Sequence, residues 1–289
     1  MKKIQVYLCS MACVMALTMC RPGTTTTADY GIVPLPASVQ TDTSAAPFRL
    51  TPRTVIAYAS PALEKEAAML SDYIAGETGM RLATAADRGD IVLCTGLENA
   101  NPEAYTISVS EDGVTVTGAS EAGTFYGVQT LRNSIPATEA DEVLLPAGEI
   151  TDQPRFGYRG AHLDVCRHFF PIDSVKKYID MMALHKLNTF HFHITEDQGW
   201  RWEVKRYPRL AEIGSRRECS VIGLETPYYD TIPVEGYYTQ EQLRDLVSYA
   251  ADRHITIIPE IDLPGHMQAA LAAYPDLGCT GGPYKGSTR

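Results

Sequence analysis

NTFHFHITEDQGWRWE, residues 188–203, begins as a strand and ends as something chemically different. Phe190, Phe192 and Ile194 alternate with His191 and His193, the period-two pattern of a pleated strand with two unlike faces. An adjacent acidic pair, Glu196 and Asp197, follows at once, and then Trp200 and Trp202, the only tryptophans in the chain. Carboxylates at the tip of an apolar strand point to a parallel sheet, whose strand ends gather the groups that meet ligands.

The flanking sequence supports that reading in both directions. Upstream, RGAHLDVCR (159–167) alternates Ala161, Leu163 and Val165 with His162, Asp164 and Cys166. Pro171, tolerated in a first turn, opens a helix whose apolar stripe is Ile172, Val175, Ile179 and Met182, with Asn188 as its expected end. Downstream, Thr239 and Gln242 form a capping box before Leu243, Leu246, Val247 and Ala250, which step along one helical face. ITIIPEID (255–262) is nearly all apolar, as a parallel strand buried on both faces should be. GHMQAALAAY (265–274) reads as a further helix stopped by Pro275. Strand–helix units with charged residues at each strand's end predict an α/β fold made of the first three to four βα units of a (β/α)8 barrel over residues 155–289. The three ends deliver Asp164 and Arg167; His191, His193, Glu196 and Asp197; and Glu260, Asp262 and His266. Carboxylates and a guanidinium fork onto vicinal hydroxyls, and indole faces cover a pyranose, so the set suits a carbohydrate.

Residues 31–150 have a different rhythm. VIAYA (55–59) and DIVLCTG (90–96) read as strands, and residues 61–79 as a helix ended by Gly76 or Gly79. Residues 104–118 alternate on both sides of Asp112-Gly113, a hairpin signal. In residues 121–135, Phe125, Val128 and Leu131 share a helical face. Strands and helices without strict alternation predict a small α+β domain, and it carries no catalytic constellation.

The first twenty residues are set apart from the fold. Lys2 and Lys3 precede the apolar run Val6–Leu17, which is too short to span a bilayer and has the form of an export signal. Its end, Leu17-Thr18-Met19-Cys20, resembles a bacterial lipobox, although Met19 stands where a small residue is usual. The expected location is the periplasm or, with Cys20 lipidated, the outer membrane of a Gram-negative bacterium. Residues 21–30 have the composition of a linker.

The charge balance argues against a nucleic-acid partner, because the formal net charge is −10 and no basic cluster relieves it. Cys94, Cys166, Cys219 and Cys279 are scattered without zinc-like spacing and read as buried apolar residues. His191 and His193 share a strand face and offer an HxH metal pair, but interior groups of a hydrogen-bonded layer are the better reading. No cofactor is expected.

LDVCRHFFP (163–171), HFHITEDQGWRWEVKRYPRL (191–210) and IIPEIDLPGHMQAAL (257–271) together resemble three successive signature segments of family 20 glycoside hydrolases, the β-N-acetylhexosaminidases. The FYGVQTLR helix and its surroundings resemble that family's accessory domain. The resemblance implies a TIM barrel after an α+β domain, and release of terminal β-linked N-acetylglucosamine or N-acetylgalactosamine from a glycan or glycoconjugate. It assigns Arg167 to the sugar's ring hydroxyls. Glu196 stands where many members carry aspartate, and His266 matches the histidine that partners that acid. The implied mechanism is substrate-assisted and retaining, with the acetamido oxygen as nucleophile. An Asp that orients the amide and a Glu that protonates the leaving oxygen come from a segment resembling HIGGDE, and residues 1–289 contain no such segment. The 289 residues are therefore expected to be inactive by themselves, and a non-catalytic carbohydrate-binding or structural fragment is the alternative.

Overall fold

The computed structural model describes residues 24–223 and 226–286. The export segment and Cys20 lie outside the described residues.

The N-terminal domain contains β1 (Thr25–Thr27), β2 (Ser38–Thr41), β3 (Phe48–Leu50), β4 (Val55–Tyr58), α1 (Glu64–Thr78), β5 (Ala83–Ala86), β6 (Ile91–Thr95), β7 (Tyr105–Ser110), β8 (Gly113–Gly118), α2 (Glu121–Ser134), β9 (Glu142–Leu145) and β10 (Gly148–Asp152). Seven strands form a mixed sheet in the order β2-β10-β7-β8-β6-β4-β5, and α1 and α2 pack on it and on each other. The β7–β8 hairpin turns at Glu111-Asp112, since Ser110 pairs with Gly113. Gly79, rather than Gly76, ends α1. Its φ of +77° is left-handed, and its N–H donates to the Ala75 carbonyl. Phe125, Val128 and Leu131 are all buried, as their shared helical face requires.

The linker expected at residues 21–30 is corrected over its described part. Thr25–Thr27 pairs in parallel with β9, and Ala28 and Tyr30 enter the core. Composition missed this because threonine-rich edge strands and tethers look alike, and β9 supplies the backbone partners that decide between them.

The second domain contains β11 (Gly160–Asp164), α3 (Ile172–Leu184), β12 (Thr189–His193), β13 (Thr195–Glu196), β14 (Gly199–Trp200), α4 (Arg209–Glu212), β15 (Arg216–Arg217), β16 (Val234–Glu235), α5 (Gln240–Ala251), β17 (Thr256–Glu260) and α6 (Gln268–Ala273). β11, β12 and β17 form a parallel sheet in that order, with Asp164, His193 and Glu260 in register. On one face Val165, Phe190, Phe192 and Ile194 are buried in the same core as Val175, Ile179 and Met182 of α3 and Leu246 and Ala250 of α5. The opposite face carries His162, His191 and His193, so the sheet is the amphipathic wall of a partial barrel.

Strand–helix alternation is less strict than the sequence suggests. Residues 194–239 form a long excursion that holds the β13–β14 and β15–β16 hairpins and α4. α3 also ends at Leu184, earlier than Asn188. Lys186 turns the chain with a φ of +59°, and the Asn188 side chain accepts the Arg159 amide at the foot of β11.

The two domains meet through paired charges. Arg159 bridges to Glu103 at 2.8 Å, and Asn188 Nδ2 donates to the same carboxylate. Buried Lys186 donates to Asp152 at 3.0 Å and to the Tyr105 hydroxyl at 2.7 Å. Burial pulls the Lys186 ammonium below its usual range, against the opposing pull of Asp152.

Candidate active site

The site grows from the ends of the three parallel strands. At the end of β11, Asp164 Oδ1 accepts the amides of Cys166 and Arg167, which makes a tight turn. Its Oδ2 meets Arg167 Nη1 at 2.5 Å. Arg167 Nη2 lies 3.2 Å from Glu196, and the arginine side chain keeps 52% of its surface open. Two carboxylates thus fix a guanidinium that stays half open. Burial works to raise the Asp164 carboxyl, but hydrogen bonds from Arg167 outweigh it and hold the group below the usual carboxylate range. The same contacts hold the Arg167 guanidinium above its ordinary value against burial.

Glu196 is presented by a two-residue turn. Thr195 pairs with Trp200 and Glu196 with Gly199, which folds the carboxylate back under the rim with its side chain only 1% exposed. His193 Nε2 lies 3.0 Å from Glu196 Oε2, and His266 Nδ1 lies 2.5 Å from Oε1. The hydrogen bond and negative charge of Glu196 raise the His266 pKa above 6.5. His193 continues inward, its Nδ1 2.9 Å from Glu260, which is also 2.6 Å from His191. The hydrogen bond and charge of His193, with His191 behind it, depress the Glu260 carboxyl. His266, Glu196, His193, Glu260 and His191 form one alternating chain of bases and acids from the rim into the barrel wall.

The remaining sequence candidates have supporting places. Asp197 Oδ1 accepts the amide of Gln268 at the start of α6, and the Asp262 amide donates to Thr195. His162, His191 and Glu260 bring ligand atoms within reach of a common ion. Yet 2.6 Å between His191 and Glu260 is a hydrogen-bond distance, shorter than two ligand atoms keep around an ion bound at about 2.1 Å. The hydrogen-bonded layer is the better description of these groups.

The indoles serve in packing rather than as open faces. Trp200 packs with Leu210, Ala270 and Ala273, and donates to the Trp202 carbonyl. Trp202 packs with the main core and lines an apolar recess beside Leu243 and Val247 on the helix side of the sheet. Both rings are used in packing. Of the cysteines, Cys166 is buried and Cys279 exposed, so burial does not hold for all four.

Two arginines beneath the rim escaped the sequence reading. Arg201 is fully buried, and its guanidinium donates to the carbonyls of Val165, Cys166, Ser215 and Gly236 at 2.7–3.1 Å. Arg217 donates to the carbonyls of Arg167 and Gln198. Arg201 lies inside a segment that resembles a family signature but was given no role there, and Arg217 lies outside every quoted motif.

The family model described as "Glycosyl hydrolase family 20, catalytic domain" matches residues 156–289, and "Glycosyl hydrolase family 20, domain 2" matches residues 29–153. A beta-hexosaminidase of Porphyromonas gingivalis is 43% identical over 87% of this chain and 33% of its own length. A beta-N-acetylhexosaminidase of Cellulomonas fimi is 34% identical over 88% of this chain and 50% of its own. Among solved structures, Streptomyces plicatus N-acetyl-beta-hexosaminidase in complex with thio-NAglucal superposes with a TM-score of 0.79. That likeness is at 38% identity, over 90% of this chain and 51% of the other. The chain thus spans about a third to a half of the length of these relatives. Two models of one family that between them match residues 29–153 and 156–289, with these relatives and this structural likeness, agree: the chain belongs to glycosyl hydrolase family 20.

Proposed function

We propose that the whole protein is a β-N-acetylhexosaminidase that releases terminal β-linked N-acetylglucosamine or N-acetylgalactosamine. It does so with retention, the substrate's own acetamido oxygen acting as nucleophile. The observation that carries this reading is Arg167, a half-open guanidinium aimed by Asp164 and Glu196 at the mouth of the partial barrel. A fixed planar fork suits two neighbouring ring hydroxyls better than a mobile ammonium would. Glu196 and His266 support the site from below as a hydrogen-bonded pair. The Asp and Glu that orient the amide and protonate the leaving group belong to a segment that residues 1–289 do not contain.

The test is Arg167→Ala in the whole protein, assayed on a chromogenic N-acetyl-β-glucosaminide. The contact is made in both ground and transition states, so kcat/KM should fall about 30- to 1000-fold, or roughly 2–4 kcal/mol. A change below threefold would make Arg167 structural.

For these 289 residues by themselves, carbohydrate binding without turnover is the second reading. They carry the arginine and its support without the acid pair. The protein is further proposed to be exported and lipid-anchored at Cys20, on the lipobox-like end of the export segment. Labelling with a palmitate analogue should be lost in Cys20→Ala, and unlabelled wild-type protein would exclude the anchor.

A further inference from the structure

The turn that presents Arg167 is held from behind by two cations that do not themselves face the open mouth of the site. Residues 165–167 leave β11 with three carbonyls turned away from the sheet. Arg201 takes two of them, Val165 O at 3.1 Å and Cys166 O at 2.8 Å, and Arg217 Nη2 takes the third, Arg167 O, at 2.7 Å. The other donors of each guanidinium reach the long excursion after β12. Arg201 Nη1 binds Ser215 O and Gly236 O, while Arg217 binds Gln198 O at 3.3 Å and the Ser220 hydroxyl. Among the described residues no carboxylate is paired with Arg201. Its burial lowers its pKa to about 10, so it stays charged at neutral pH.

The surroundings are shaped to admit these side chains. A Cβ on Gly199 would lie 2.4 Å from Arg201 Cζ, and one on Gly236 would lie 2.4 Å from the Phe169 ring, over which Arg201 sits. Burying a cation is costly unless its donors are matched, and here converging carbonyl dipoles match them. Gln198 follows Glu196 and Asp197 in the β13–β14 turn, so Arg217 joins the Arg167 peptide directly to the turn that carries its carboxylate partner.

We infer that Arg201 and Arg217 form a carbonyl clamp whose function is to hold Arg167 at sugar-binding distance, which makes them positioning residues for substrate affinity. This rests on Arg167 being the sugar ligand. The experiment is a double-mutant cycle in the whole protein, using Arg217→Ala, Arg167→Ala and the pair on a chromogenic N-acetyl-β-glucosaminide. Arg217→Ala should raise KM about tenfold with kcat changed less than threefold. It should have under a twofold effect once Arg167 is already alanine, and Arg217→Lys, which keeps one carbonyl contact, should restore part of KM. A tenfold effect that persists in the Arg167→Ala background would overturn the clamp, as would an unchanged KM in Arg217→Ala. A silent Arg167→Ala would instead overturn the assignment of the sugar ligand. Should Arg217→Ala fail to fold, Gly199→Ala, which presses on the Arg201 guanidinium, takes its place in the cycle with the same expected outcomes.

Discussion

The accessory domain and the partial barrel are built from similar lengths of chain but finish their surfaces differently. In the first, α1 and α2 cover the seven-stranded sheet, and Phe125, Tyr105 and Leu70 are completely buried. In the second, β17 pairs with one neighbour only among the described residues, and Ile258, Ile261, Leu263 and Val247 are all more than 40% exposed. The barrel's polar face is nevertheless ordered, because His193 and Glu196 are buried among charged partners. The difference teaches that a site's geometry can be set locally, by carbonyl and carboxylate contacts, while the apolar wall around it remains open.

The largest effect that bears on this comparison is catalytic. A polypeptide of residues 21–289 should hydrolyse a chromogenic N-acetyl-β-glucosaminide at least 10²- to 10⁴-fold more slowly than the whole protein, the usual worth of positioned proton transfer. Turnover within about a hundredfold of the whole protein, abolished by Glu196→Gln, would break the comparison by making Glu196 the acid.

A smaller effect concerns packing. Phe125→Ala should cost about 3–5 kcal/mol in denaturant unfolding, because it empties a closed core. Ile258→Ala, 46% exposed on the barrel wall, should cost less than about 1 kcal/mol. Equal losses would show that both regions are closed alike.

The smallest concerns charge. His266 should titrate above 6.5 by NMR in the 289-residue polypeptide, and Glu196→Gln should return it towards that value. A raised folded pKa means that this pairing stabilises the fold fully below about pH 6.5, and that the contribution is lost as pH rises through the His266 midpoint. An unshifted midpoint would separate His266 from Glu196 in solution.

Much of this was legible in the residues. Period two in Ala161–Val165 and in Phe190–Ile194 is a consequence of pleating, and the apolar stripe of α3 follows from 3.6 residues per turn, so the elements announced themselves locally. Their order implied a parallel sheet, and strand ends in such a sheet converge whatever their separation in sequence. That placed Arg167, Glu196 and His266 on one rim. The edge strand Thr25–Thr27 was not legible, because its structure depends on β9, more than a hundred residues away.

What sequence alone determined here is the family, the alternation of strand and helix, and which chemical groups stand at the strand ends. What the tertiary structure decided is which of those groups touch. Trp200 and Trp202 turned to packing, and His193 became the link between Glu196 and Glu260. Arg201, given no role by the signature segment that contains it, and Arg217, outside any quoted motif, emerged as the donors beneath the turn of Arg167. The physical reason is that periodicity reports a residue's own face of its own element. A buried hydrogen bond is decided by which carbonyls distant segments leave unpaired in the same place.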